Sequence, residues 1–140
     1  MNKLYGYPEI IIKDWDFIVE KIITPLKLGN DWGLRKTKHG NPKLKKGGFV
    51  IDLIALDNIH SIKRRKLKPN INNYLNGVPL TIQSLAFDVN KNILWGRIGI
   101  KSILTKTVGI NNKTEYKYEL NISGNRYSIK RYEKILGLSG

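Results

Sequence analysis

The chain has no cysteine, which excludes disulfides, zinc–thiolate centres and thiol catalysis. It is poor in acid: 11 Asp and Glu stand against 25 Lys and Arg, a formal net charge of +14 over 140 residues. The two histidines, His39 and His60, have no partner at metal-ligand or triad spacing and read as surface residues. No run approaches the roughly 20 apolar residues of a membrane span, and no basic-then-apolar leader opens the chain. Gly-rich phosphate loops of the Walker or Rossmann kind are absent, and Lys45-Lys46-Gly47-Gly48 reads as a turn before a strand. These absences lead to the expectation of a soluble, cytoplasmic protein with no membrane partner. The length fits one domain over 1–140 with a real core. The basic residues are spread from Lys3 to Lys134, so the charge belongs to the domain rather than to a tail. A polyanion is the expected partner, RNA first, because Lys and Arg neutralise phosphates. Abundant Lys, Ile and Asn also fits an AT-rich coding sequence, the bland source of the same charge.

What is present is a sparing and patterned use of carboxylates. Asp14-Trp15-Asp16 leads into Phe17-Ile18-Val19, and a third carboxylate lies inside Phe49-Val50-Ile51-Asp52-Leu53-Ile54. On a strand, successive side chains point to opposite faces, so Asp14 and Asp16 project together while Trp15 and Phe17 face the other way. A neighbouring strand carrying Asp52 closes a three-carboxylate cluster able to hold Mg2+, or Mn2+, in a two-metal phosphoryl-transfer site. A charge beside an apolar run is expensive to desolvate, and a metal or lysine partner offsets that cost. The bland alternative makes Asp14 a turn residue, Asp16 a lysine-paired strand end and Asp52 a buried partner of a Lys or Arg.

Punctuation by glycine, asparagine and proline predicts strands with a few short helices. Strands are expected at 10–12, 17–19, 32–37 and 48–56, the last two forming a hairpin across the 38–42 loop. A short helix broken by Pro25 is expected in 20–28. The stretch from 59 to Pro69 reads as too basic for a core element, and 71–75 as one helical turn stopped at Asn76-Gly77. A second hairpin pairs 81–89 with 93–97 around Asn90-Lys91-Asn92, while 98–108 fits either helix or strand. The segment 128–136 places Ile129, Tyr132, Ile135 and Leu136 on one face, with Ser128 as cap and Gly137 as stop. The fold class is α+β, a mixed β-sheet with helices on one side and added hairpins.

The order Lys13-Asp14-Trp15-Asp16-Phe17-Ile18-Val19, Trp32-Gly33-Leu34-Arg35 and Gly48-Phe49-Val50-Ile51-Asp52-Leu53-Ile54-Ala55-Leu56-Asp57 resembles the catalytic head of polymerase beta-like nucleotidyltransferases. Within them it is most similar to the heads of tRNA CCA-adding enzymes and bacterial poly(A) polymerases. Asn76-Gly77-Val78-Pro79-Leu80-Thr81-Ile82-Gln83-Ser84-Leu85-Ala86-Phe87-Asp88 resembles the strand region that follows in those heads, so the likeness spans roughly residues 8 to 110. The resemblance implies transfer of a nucleoside monophosphate from a nucleoside triphosphate to a hydroxyl, here of RNA. It assigns both metals to Asp14 and Asp16, and the metal that activates the attacking hydroxyl to Asp52. The chain departs from the family in two places. Family heads carry a Gly-Gly or Gly-Ser turn about ten residues before the aspartate pair, and Gly6-Tyr7 matches neither its spacing nor its composition. The arginine motif that selects the base is also missing. The expectation is an upstream segment or a protein partner that supplies the triphosphate-binding turn, or else a head that keeps its fold and nucleic-acid affinity without catalysis, such as a regulatory module or a toxin–antitoxin-type partner.

Two basic clusters are candidate nucleic-acid or phosphate contacts: Arg35, Lys36, Lys38, Lys43, Lys45 and Lys46, then Lys63, Arg64, Arg65 and Lys66, with Lys68 beyond. Solvated loop surface is the bland reading of both. Trp15, Trp32, Tyr74 and Trp95 read as core aromatics, and Trp32, beside the first cluster, is the one placed to stack on a base.

Overall fold

Alternation of polar and apolar residues builds the first half of the chain. The structure, a computed structural model, describes residues 11–124 and 128–137. Strands β1 (Asp14–Val19), β2 (Gly33–Lys36), β3 (Pro42–Lys46) and β4 (Phe49–Ala55) form one mixed sheet in the order β1-β4-β3-β2. β1 runs parallel to β4, whereas β3 is antiparallel to both β4 and β2. Gly47, at φ +58, makes the tight β3–β4 turn in a conformation that β-carbons disfavour. β3 falls where a loop and turn were expected. Its Lys-Leu-Lys alternation hides a strand: Leu44 is buried, while Lys43 and Lys45 project from the other face. Residues 20–28 form no helix. Ile22-Ile23-Thr24 is β-branched, and Pro25 withdraws an amide donor and biases Thr24 away from helical backbone. Of the expected 10–12 strand, Ile11 and Ile12 lie outside any element, and Ile10 lies outside the described residues, as do Gly6 and Tyr7.

The chain divides into two compact units, residues 1–58 and 59–140. The first holds the four-stranded sheet, closed by a 3-10 turn at Leu56–Asn58. The Asn58 side chain donates to the His39 carbonyl at 2.8 Å and to Asn41 Oδ1 at 2.9 Å, fixing the β2–β3 connection.

The second unit carries α1 (His60–Arg64), α2 (Ile71–Gly77), a 3-10 turn at Thr81–Gln83, a hairpin of β5 (Ala86–Asp88) and β6 (Ile93–Trp95), then α3 (Arg97–Thr105), α4 (Lys113–Ser123) and α5 (Ile129–Leu136). Together the units give an α+β fold. α1 corrects the expectation that this basic stretch lacks a core element, because Ile62 is 2 % exposed. α2 is longer than one turn, its start fixed by Asn70 Oδ1, which accepts from Asn73 N at 2.8 Å. Strand β5 is shorter than the expected 81–89. Gln83 instead turns its Oε1 back to the Leu80 amide at 3.1 Å, while Ser84 Oγ donates to the Leu75 carbonyl at 2.9 Å. These side chains give the backbone an alternative to the ladder. Leu80 itself is 0 % exposed and centres the small core with Ile59, Ile62, Leu75, Val78 and Val108. The ambiguous 98–108 segment resolves as α3, and α5 starts and stops at Ser128 and Gly137 as its sequence predicts. Ile129 and Tyr132 are half-buried, and the side chains of Ile135 and Leu136 lie outside the described ones. Among the described residues no helix is long and apolar enough to cross a membrane.

Candidate active site

The register of the first sheet sorts its side chains into two faces of opposite chemistry. Asp16 lies directly across from Asp52, Asp52 across from Lys43, and Lys43 across from Arg35. One row thus crosses all four strands with two anions followed by two cations. The adjacent row runs Asp14, Val50, Lys45 and Gly33. Asp14 therefore shares the face of Asp16 and Asp52, as strand alternation requires. Asp52 is carried by a strand neighbouring β1, as expected, through the parallel β1–β4 pair.

Electrostatics within the row are unusual. Lys43 Nζ stands 3.7 Å from Asp52 Oδ1. Asp52 Oδ1 is buried and accepts no hydrogen bond. Asp16 is pushed above the ordinary carboxylate range, first by partial burial, then by the negative charges of Asp52 and Asp14 and by a hydrogen bond to Asp52; Lys43 pulls it the other way. Two carboxylates crowded together with one lysine near them leave the row able to take further positive charge.

Among the described residues, no group of three or more His, Cys, Asp or Glu side chains is drawn together tightly enough to hold a metal ion. The Asp16–Asp52 pair nevertheless fits Mg2+ or Mn2+ chemically. These ions take hard oxygen donors, and Mg2+ is commonly held by one or two carboxylates with water and substrate phosphate completing the shell. The Asp52 oxygen, which accepts no hydrogen bond, and the Asp16 carboxylate are two such donors on facing strands. Asp14 is exposed two residues away on the same face.

The basic candidates divide by role. Arg35, Lys36, Lys38, Lys45 and Lys46 are exposed in the β2–β3 region. Arg35, Lys43 and Lys45 share the carboxylate face; Lys36 and Lys46 fall on the opposite one. Lys46 Nζ lies 3.0 Å from Asp31 Oδ2. In the second unit, Lys63 and Lys66 are exposed, Lys66 with φ +55 beyond the end of α1. The two arginines between them serve the unit's own framework. Arg64 pairs with the buried Glu115 and lies 4.4 Å over the Tyr118 ring. Arg65 donates to the Ser61 carbonyl at 3.1 Å and the Asn73 carbonyl at 3.0 Å.

The alternative that gives Asp52 a Lys or Arg partner is met by Lys43, whose place opposite Asp52 only the Lys-Leu-Lys alternation of β3 signals in the sequence. Trp15, expected in a core, is 43 % exposed on the face opposite the carboxylates. Comparison of the chain with protein-family models, curated proteins and solved structures finds no match.

Proposed function

We propose that the carboxylate face is the metal-binding core of a nucleotidyltransferase that moves a nucleoside monophosphate from a nucleoside triphosphate to a hydroxyl of RNA. The observation that carries this reading is the Asp16–Asp52 pair, two acids held opposite each other on parallel strands in a protein with few acids. In the transfer, the acceptor hydroxyl gives up its proton to solvent, its oxygen bonds to the α-phosphorus, the bond to the bridging oxygen breaks, and pyrophosphate leaves. Asp16 and Asp52, with Asp14 beside them, would hold Mg2+ or Mn2+, which when bound neutralises the triphosphate and acidifies the attacking hydroxyl. Lys43, displaced from Asp52, and Arg35, next in the row, face the same surface and offer cationic donors to phosphate oxygens. A protein partner or additional chain would supply the triphosphate-binding turn, and the cytoplasm supplies both nucleotide and magnesium.

The test is transfer of label from each α-labelled nucleoside triphosphate to a mixed RNA pool, with Mg2+ or Mn2+, for the natural chain and for Asp16→Asn. Label in RNA with the natural chain and its loss in the variant is the expected result. Equal transfer by both proteins sinks the assignment.

The Lys43–Asp52 ion pair favours a second reading, a nucleic-acid-binding module without catalysis, because the lysine already provides the counter-charge. On that reading no label is transferred, RNA binding weakens with salt, and Asp16→Asn binds as well as the natural chain or better.

A further inference from the structure

The other face of the four-stranded sheet is lined by aromatic rings. By register, Trp15, Ile51, Leu44 and Leu34 make one row across it, with Phe17 two residues beyond Trp15 and Phe49 opposite Lys46. Leu44 is buried, yet Trp15, Phe17 and Phe49 are 43, 38 and 48 % exposed. The Trp15 and Phe17 rings are nearly parallel, 14° apart in plane and 6.3 Å between centroids. A groove of about 480 Å³ runs between Trp15, Trp32, Phe49 and Ile51, with Lys46 and Gly47 at its edge. Aromatic side chains normally supply core area, and several left open on one sheet face mark a surface that meets a ligand.

We infer that this face stacks the unpaired bases of single-stranded RNA. This deepens the proposed function, resting on RNA as its macromolecular partner, and gives the strand a binding surface separate from the carboxylates. Two features single out nucleic acid as the occupant. Residues 35–46 carry six cations and no acid. The same register that sends Arg35, Lys43 and Lys45 to the carboxylate face turns Lys36 and Lys46 toward the rings. Lys46 Nζ stands 5.4 Å from the Trp32 ring centroid, where the phosphate next to a stacked base would pass; its present partner, Asp31, is a 67 % exposed carboxylate that a phosphate can replace. Flat apolar rings beside cations match a ligand with a planar body and an anionic backbone, the combination used by proteins that bind single strands without sequence preference. Exposed aromatics on a four-stranded sheet serve RNA in the same way elsewhere. A purely apolar protein partner would have to desolvate those lysines for no return.

Titration of the full chain with a 12-nucleotide oligouridylate and with a blunt RNA duplex of equal length tests this, at low salt and with neither metal nor nucleoside triphosphate. Leaving out the reaction components keeps the result separate from that of the transfer assay, so stacking can fail while transfer stands, and the reverse. The single strand is expected to quench tryptophan emission on binding, and the duplex to bind without comparable quenching. Trp32→Leu and Phe49→Leu keep the face apolar while removing a ring, and each should weaken the single strand roughly tenfold or more. Circular dichroism and melting of both variants confirm that they are folded, and either folded variant suffices. Natural affinity in a folded ring-deletion variant overturns the inference. So does equal quenching by duplex and single strand, or an emission change that follows protein concentration alone, the signature of a protein docking on this face.

Discussion

Replacing Asp16 with Asn keeps the shape of the side chain and removes one charge from the crowded row, so its effect on stability should depend on pH. In the folded chain, Asp16 holds its proton to higher pH than in the unfolded chain, because burial and the charges of Asp52 and Asp14 oppose ionisation. A group raised in this way contributes stability that is fully present below the unfolded carboxylate pKa and lost as pH rises through the folded value. The natural chain therefore carries a destabilising charge at neutral pH, and the asparagine variant does not. Asp16 is partly open to water, so the repulsion is screened. Like charges directly opposite on neighbouring strands cost up to roughly 1 kcal/mol, and a solvent-facing pair sits in the lower part of that range. About 0.5 kcal/mol is the expected gain at pH 7. For a unit of 58 residues this corresponds to a rise in Tm of about 2–4 °C. Thermal unfolding of both proteins, followed by tryptophan emission from pH 3 to pH 7.5 without divalent metal, measures it. The two melting curves should converge at the acid end and separate with the variant on top as pH rises. A variant less stable than the natural chain at neutral pH, or a difference that stays constant with pH, refutes the reasoning and makes Asp16 an ordinary polar strand residue.

Two further outcomes concern the second unit. Leu80→Ala removes a fully buried side chain from a small core and should cost about 3 kcal/mol in chemical denaturation, with a cost below 1 kcal/mol showing that the core is not centred there. Glu115→Gln leaves Arg64 without its buried anionic partner. Because Arg64 keeps partial access to water and its contact with Tyr118, about 1–2 kcal/mol is expected rather than the 3–5 kcal/mol of a fully buried break; retention of natural stability would make the pair dispensable.

The faces of individual strands were legible in the sequence, and their neighbours were not. Period-two alternation places Asp14 with Asp16 and Trp15 with Phe17 whatever the sheet, because it depends on local geometry alone. Pairing is a non-local choice. Nothing in Asp14–Val19 or Phe49–Ala55 announces that these two strands run parallel with Asp16 facing Asp52. Lys43 and Lys45 disguised β3 as a loop, since a strand whose exposed face is cationic leaves one apolar residue, Leu44, as its signature. α1 was hidden similarly: Ile62 is its one buried residue, and two of its arginine neighbours look like surface charge until Glu115 is seen beneath them. The start of α4 is encoded locally, with Asn112 Oδ1 accepting from Glu115 N at 3.0 Å. The ends of α5 were readable because Ser128 and Gly137 act on adjacent backbone.

The parallel pairing of β1 with β4 ties two surfaces of opposite character to one alignment. Because side chains alternate with a period of two, moving β1 along β4 by a single residue would turn Trp15 and Phe17 onto the carboxylate face and Asp14 and Asp16 onto the aromatic one. Neither surface can shift alone. Selection on either face therefore acts on the same set of backbone hydrogen bonds, and a change that loosens β1 should disturb the carboxylate row and the aromatic row together. Among the described residues β1 is also a terminal strand of its sheet, paired with β4 alone. Its fidelity thus rests on interlocking with β4, where an aspartate beside Asp52 is tolerable and an aspartate set against Ile51 and Leu53 is not.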